Sequence, residues 1–445
     1  MSEWQECNLG EIYEFASGLS KPRSEFGSGY PFLSFKDVFY NYFVPNRLES
    51  LVQTDEKERQ RCSVRRGDVF LTRTSETMDE LGMSCVALHH VPAATFNGFT
   101  KRLRPKREDV VLPEYAGYFF RSRGFREDVM SMTTMSTRAS LNNEMLGRLK
   151  IKLPPVSMQS AIGNMLLALD NKIELNRRMN ETLEAMARAI FKDWFVDFGP
   201  TRAKMAGSNP YLAPELWDLF PDVLDDEGKP LGWPRERIGD HVVAKKGLSY
   251  KGAGLTDEAS GIPLHNLNSV LEGGGYKNDG LKFYLGDYKP RHIVHPGDLI
   301  VANTEQGFEH LLIGYSALVP GWAGKEGLFS HHIFKVQPRS TSSLSRVWLH
   351  YAMSASWFGE SIRRFSNGTT VNMLPQDAFE IPEIIVPPSG LVRAFDNLVG
   401  PKLRKQEDSV SESYTLAQTR DLLLPKLMSG EIRLRDVERA TEAVV

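Results

Sequence analysis

At 445 residues the chain is too long for one hydrophobic core, and 41% apolar with 25% charged residues and a net charge of −2 is the usage of an ordinary globular protein of two or three domains. No apolar run approaches a membrane span, and the opening MSEWQECNLGEIY lacks the apolar stretch of a secretory signal, so a cytoplasmic chain is expected. Cys7, Cys62 and Cys85 share no CxxC spacing, which argues against a disulfide framework or zinc site and for reduced, mostly buried thiols.

From the N-terminus onward the chain repeats itself. WQECNLG (4–10) realigns with WPRERIG (233–239), GLS (18–20) with GLS (247–249), GYPFLSFKDV (29–38) with GIPLHNLNSV (261–270) and VRRGDVFL (64–71) with VHPGDLIV (294–301). Tyr118 with Tyr351, Leu141 with Leu374 and Pro154-Pro155 with Pro387-Pro388 continue the series at a nearly constant offset, which marks a duplication. In each copy, short apolar runs punctuated by turn residues predict strands over 30–38, 64–72 and 83–89, then 262–270, 293–303 and 312–319. Helical segments are expected at 114–122 and 345–355. The clusters Lys101-Arg102-Arg104-Lys106-Arg107 and DVLDDE (222–227) lie in different segments, so a nearly neutral chain can still carry local basic faces.

After each Pro-Pro the period changes. Asn164 to Phe198 contains neither glycine nor proline, and Ile162, Leu166, Leu169, Ile173, Asn176, Asn180, Leu183, Ala187, Ile190 and Trp194 follow the four-three spacing of a coiled-coil seam. Asn176 and Asn180 interrupt that stripe with amides, which fix register at a cost in stability. Leu391, Phe395, Leu398, Leu403, Val410, Tyr414, Ala417 and Leu424 form a looser stripe interrupted by Pro401. The fold class expected is α+β: two tandem α/β domains and two long helices pairing as an antiparallel coiled coil, a pseudo-two-fold dumbbell. The boundaries are 1–153 for the first domain, 154–200 for the first spacer helix and 201–232 for a Pro- and Gly-rich linker. The second domain takes 233–386, the second spacer helix 387–430 and a tail 431–445.

The chemistry of known motifs is missing. No phosphate-binding G-x-x-x-x-G-K-[ST] loop or G-x-G-x-x-G turn is present, and Asn209-Pro210-Tyr211 lacks the second proline of an amino-methyltransferase motif. Pro221-Asp222 with Glu227-Gly228-Lys229 fits a loose metal-nuclease pattern, but in a turn-rich linker that reads better as a solvated acidic loop. His292 and His295 flank a turn, and adjacent His331 and His332 are expected on opposite faces of a strand, so no metal is assigned.

What remains is polar equipment suited to base edges and phosphates at equivalent places of the two copies. The candidate DNA contacts are Lys21, Arg23, Lys36, Arg73, Thr74, Lys101, Arg138 and Asn142 in the first domain. In the second they are Lys245, Lys246, Tyr250, Lys251, Asn266, Asn303, Thr304, Asn367, Thr369 and Thr370.

The segments PPVSMQSAIGNMLLALDNKIELNRRMNETLEAMARAIFKDWFVDF (154–198) and LLLPKLMSGEIRL (422–434) resemble the conserved spacer helices of the specificity subunits of type I restriction-modification systems, and GLSKPRSEFGSGYPFLSFKDV (18–38) resembles the start of their target recognition domains. The resemblance covers essentially the whole chain. It implies a subunit without catalysis or cofactor of its own, in which each target domain reads half of an interrupted site on double-stranded DNA. The helices would dock methyltransferase subunits, with two expected, and restriction subunits. S-adenosylmethionine, ATP and magnesium would belong to those partners. A single-chain magnesium nuclease built on Asp222 and Glu227, and a coiled-coil scaffold with no sequence-dependent DNA affinity, are the rival expectations.

Overall fold

The computed structural model describes residues 4–75, 80–132, 139–307, 309–368 and 371–432. They divide into two compact units, 1–174 with 414–445 and 175–413, so each unit takes one part of each long helix.

The first unit is built around a four-stranded sheet in the order Tyr13–Ser17, Thr100–Pro105, Val69–Thr72, Ser84–Val86, all neighbours antiparallel. A second sheet pairs Phe26–Leu33 antiparallel with Leu51–Val52 and parallel with Thr95–Phe96. Gln5–Asn8 pairs with Lys150–Leu153, bringing the end of the domain back to its beginning. The second unit repeats this plan. Its four-stranded sheet runs Val242–Lys246, Ile333–Pro338, Leu299–Ala302, Ser316–Leu318, and Arg235–Arg237 pairs with Glu383–Ile385. Ile262–His265 lies parallel to Gly327–Phe329, as Phe26–Leu33 lies parallel to Thr95–Phe96.

Two of the expected strands are cut short by helices. Phe35–Tyr40 is helical because Ser34 accepts from Asp37 N while the Asp37 carboxylate accepts from Ser34 N, a capping box that the letters S-F-K-D already carry. Asn266 starts the single turn Leu267–Ser269 at the equivalent place.

The first long helix runs Val156–Phe195, 40 residues or roughly 60 Å, and the chain turns at Phe198 in the left-handed region before Gly199–Met205. The second runs Ser389–Ser429 without a break. Pro401 interrupts its apolar pattern but not the helix. The missing N–H removes one helical bond, while burial of Leu391, Val392, Phe395 and Val399 in the second unit's core holds the turns around it. In the first unit Ile162, Leu166, Leu424, Leu427 and Met428 join the domain's core. In the second, Ala187, Phe191, Trp194 and Phe195 do the same. Thus the seam read from the sequence is shared between helix pairing and domain packing.

Candidate nucleic-acid interface

Gly18 and Gly247 explain the repeated GLS. A Cβ on Gly18 would stand 2.3 Å from the carbonyl oxygens of Phe96 and Asn97, and one on Gly247 2.3 Å from that of Phe329. This close approach lets Leu19 N donate to Phe96 O at 2.8 Å and Leu248 N to Phe329 O at 2.7 Å. The shared GD comes next. Gly67 and Gly297 take φ of +86° and +79°, and the following aspartates each accept the backbone N–H three residues upstream: Arg65 N to Asp68 at 2.7 Å and His295 N to Asp298 at 2.9 Å. Both carboxylates are buried and charge-paired, Asp68 with Arg104 at 2.6 Å and Asp298 with Lys335 at 2.5 Å. Pinned in this way, the central strands deliver Arg73-Thr74 and Asn303-Thr304 to corresponding places: Arg73 N donates to Phe99 O and Leu141 N to Arg73 O, as Asn303 N donates to His332 O and Leu374 N to Asn303 O.

The structure separates the candidate contacts into two groups. Arg23, Lys36, Lys245, Lys246, Lys251 and Asn367 are exposed, and Arg73, Thr74 and Tyr250 half-buried. The other described residues are occupied within the fold. Lys21 pairs with Glu25 and Glu58 at 2.9 Å each, and Asn142 caps Asn143–Arg148 through Met145 N. Asn266 accepts from Asn268 N, Asn303 donates to His331 O, and Thr304 donates to Asn303. Lys101 is buried, with its ammonium donating to Ser17 and Asn143. Arg138, Thr369 and Thr370 lie outside the described residues.

The run 101–107 is therefore not one basic face. Arg102 donates to the carbonyls of Arg61 and Ser63, Arg104 serves Asp68, Lys106 donates to Gly10 O and Arg107 pairs with Asp109. Strand alternation and the pull of buried acceptors dispersed it. The nuclease pattern is dispersed too: Asp222 pairs with Lys204, Glu227 with Arg235 and Lys229 with Asp225. His331 and His332 depart from expectation, because they sit in a turn rather than a strand and their ring centroids are 3.9 Å apart. Among the described residues no group of three or more His, Cys, Asp or Glu could hold a metal ion, and no helix is long and apolar enough to cross a membrane. The three cysteines are free, and burial pushes the Cys85 thiol up.

Arg73 and Lys101 are the electrostatic feature of the first unit. Burial and the neighbouring Arg73 hold the Lys101 ammonium below its ordinary range. Among the described residues neither cation has a carboxylate partner, and the buried Arg73 Nε has no hydrogen-bond partner. Two adjacent cations without a carboxylate partner among the described residues favour an anion beside them.

The second unit offers a cleft instead. One part, of about 650 Å³, is lined by Tyr250, Asn266, Asn268, Lys277, Lys282 and His332. A part of about 800 Å³ shares His332 and adds Thr304, Glu305 and Gln306. Glu305 is buried and accepts the backbone N–H groups of Leu311, Leu312 and Ile313, fixing the loop beside Thr304. Asn266 Nδ2 is buried without a partner among the described residues. Lys277, Lys282 and His332 escaped sequence reasoning: nothing in the pattern of the lysines distinguishes them from solvating charges, and the histidines suggested only metal.

The helix pairing is explicit inside each unit. In the first, Asp170 accepts from Tyr118 Oη and from Arg420 Nη1, each at 2.6 Å. In the second, the buried Asn176 Nδ2 donates to Ser409 O, Glu412 Oε2 and Ser413 Oγ at 3.3, 2.8 and 3.2 Å. Asn180 and Gln406 each donate to the other's backbone carbonyl. Residue numbers rise on one helix as they fall on the other, so the pair is antiparallel.

Residues 1–185 match the family model of the type I restriction modification DNA specificity domain. The chain is 26% identical to the type I restriction enzyme MjaIX specificity subunit of Methanocaldococcus jannaschii, over 98% of this chain and 95% of that one. It is 23% identical to the HindI specificity subunit of Haemophilus influenzae, over 97% of this chain and 100% of that one. The solved S subunit of a type I restriction-modification system from M. genitalium shares the fold, with a TM-score of 0.56 at 13% identity over 95% of this chain and 96% of that one. The family resemblance and the mixed α/β fold with long helices read from the sequence are both borne out, and a non-catalytic specificity role agrees with the relatives' names.

Proposed function

We propose, from the premise that this chain is a type I specificity subunit, that its two target domains each read one half of an interrupted double-stranded DNA site. The observation that carries this is a framework built twice with different tips. The glycine approach, the pinned aspartate and the strand deliver Arg73 and Thr74 beside Phe99 in one domain, and Asn303 and Thr304 beside His332 in the other. A common scaffold with unlike side chains at matching places suits one binding mode and two different base sequences.

Arg23, Lys36, Arg73, Lys245, Lys246 and Lys251 supply the phosphate contacts in this reading, so affinity falls steeply with salt. The buried members of the candidate set position the reading loops. The paired helices set the spacing between half-sites and dock two methyltransferase subunits. Restriction subunits complete the complex. Those partners bring S-adenosylmethionine, ATP and magnesium.

Single-molecule methylation mapping in a host that carries this chain with its methyltransferase subunits tests the reading. An interrupted, asymmetric, adenine-methylated site is expected. A continuous site, or no site in the presence of active partners, would overturn it.

A further inference from the structure

Phe99 is 58% exposed, at the tip of the turn between Thr95–Phe96 and Thr100–Pro105. Phe96, three residues earlier, is fully buried, with its ring 5.0 Å from that of Phe70. The exposure of Phe99 does not come from a loose backbone. Its N–H donates to Asn97 Oδ1 at 2.7 Å, its carbonyl accepts from Arg73 N at 3.0 Å, and Gly98 N and Thr100 N donate to Leu19 O and Asn97 O. A large apolar ring is therefore held out into water by a turn bonded on both sides.

A single exposed phenylalanine needs no explanation on most surfaces. Three observations set this one apart. Its own carbonyl receives the N–H of Arg73, so the ring rises beside Arg73 and its neighbour Lys101, which have no carboxylate partner among the described residues. The equivalent position of the second domain is also at a turn tip, is bonded the same way through Asn303 N to His332 O, and carries a side chain that lines both parts of the cleft. Around the two tips the framework is kept, with Leu19 bridging Asn97 in parallel as Leu248 bridges Ser330, while the side chain changes from a phenyl ring to an imidazole. A position fixed in backbone and varied in chemistry is where sequence discrimination belongs.

We propose that Phe99 is a specificity-determining residue: its ring enters the major groove beside a phosphate drawn by Arg73 and packs on the 5-methyl group of a thymine. His332 holds the corresponding place for the other half-site. A phenyl ring offers no hydrogen bond, and the thymine methyl is the apolar feature the major groove presents to match it. This rests on the reading of the two domains as half-site readers.

The test uses the full chain assembled with its methyltransferase subunits and duplexes bearing the mapped site. Each thymine is replaced in turn by uracil, which removes only the methyl group. For the unaltered complex, one replacement in one half-site weakens binding roughly three- to tenfold, the size of one buried methyl contact. Phe99→Ala is indifferent to that same replacement, Phe99→Leu keeps most of the sensitivity, and the other half-site and the melting temperature are unchanged. The proposal is overturned if Phe99→Ala responds to uracil as the unaltered complex does, if no thymine responds in the unaltered complex, or if Phe99→Ala weakens specific and non-specific DNA equally. A complex with no sequence preference at all would instead overturn the half-site reading beneath it.

Discussion

Asp170 joins three elements of the first unit with two short bonds, and its removal has a calculable cost. Tyr118 Oη and Arg420 Nη1 both reach its carboxylate at 2.6 Å, and the side chains of Asp170 and Arg420 are 20% and 17% exposed. In Asp170→Ala the Tyr118 hydroxyl and the guanidinium lose that acceptor. A hydrogen bond to a charged group contributes about 1.5–3 kcal/mol. Arg420 keeps Asp421 as a second partner, which pulls its share to the low end. The sum is about 3 kcal/mol, on the order of 150-fold in the opening equilibrium of this unit. Tyr118→Phe alone costs about 1.5 kcal/mol, and almost nothing once residue 170 is alanine, so the double-mutant cycle returns a coupling of about 1.5 kcal/mol. Amide exchange in the strand Thr100–Pro105 and the helix Pro113–Phe119 reads the unit locally. A loss below about 1 kcal/mol in Asp170→Ala, or an additive cycle, would refute the reasoning.

Asn176→Leu trades three hydrogen bonds for an apolar seam and relieves the unpartnered buried Oδ1, so its stability stays within about 1 kcal/mol of the parent, whereas Asn176→Asp sets a carboxylate against Glu412 and costs more than about 3 kcal/mol; urea titration of the pair decides. His265 and His350 are buried neutral, with burial pushing both down to about 4. Their unfolded forms bind protons first, so their contribution is complete above about pH 6.5 and is lost as the pH falls toward 4. At pH 5 the second unit loses about 2 kcal/mol per histidine relative to pH 7. Amide exchange at the two pH values should show weakening there, and a loss confined to the first unit would contradict it. Gly18→Ala and Gly247→Ala each drive a methyl group into backbone carbonyls, so each is expected to cost about 2 kcal/mol or more and to unpin the loop it packs against. Unchanged exchange at Gly98 or His331 would show that the close approach is dispensable.

The duplication and the seam were legible because both are periodic: a constant offset aligns the glycines of close approach, and four-three spacing places Ile162, Leu166 and Trp194 inside. The destinations of polar side chains were not legible. Lys101 and Asn303 look like surface equipment in a linear reading, yet the sheet carries them inward to Asn143 and to His331 O. Which carbonyl lacks a donor is a property of the folded backbone, and no spacing rule encodes it. The helix Phe35–Tyr40 could have been found, since Ser34 and Asp37 carry its start signal, but the alternating apolar run masked it. Pro401 interrupts the apolar stripe of the second spacer helix as read from the sequence, and packing of the turns around it keeps that helix unbroken against local propensity.

Because the first unit needs Leu424, Leu427 and Met428 to close a core that begins at Leu9, it is not contiguous in sequence, whereas 175–413 forms one uninterrupted stretch. On the ribosome the order of completion is thus the reverse of the order of synthesis. The domain translated first must wait, with one wall of its core open, until the last helix has emerged, while the domain translated second already holds all its own parts. A chain stopped short of Leu424 would release a finished second unit and an unfinished first one. The early domain in this arrangement draws part of its core from residues made after the whole of the second unit.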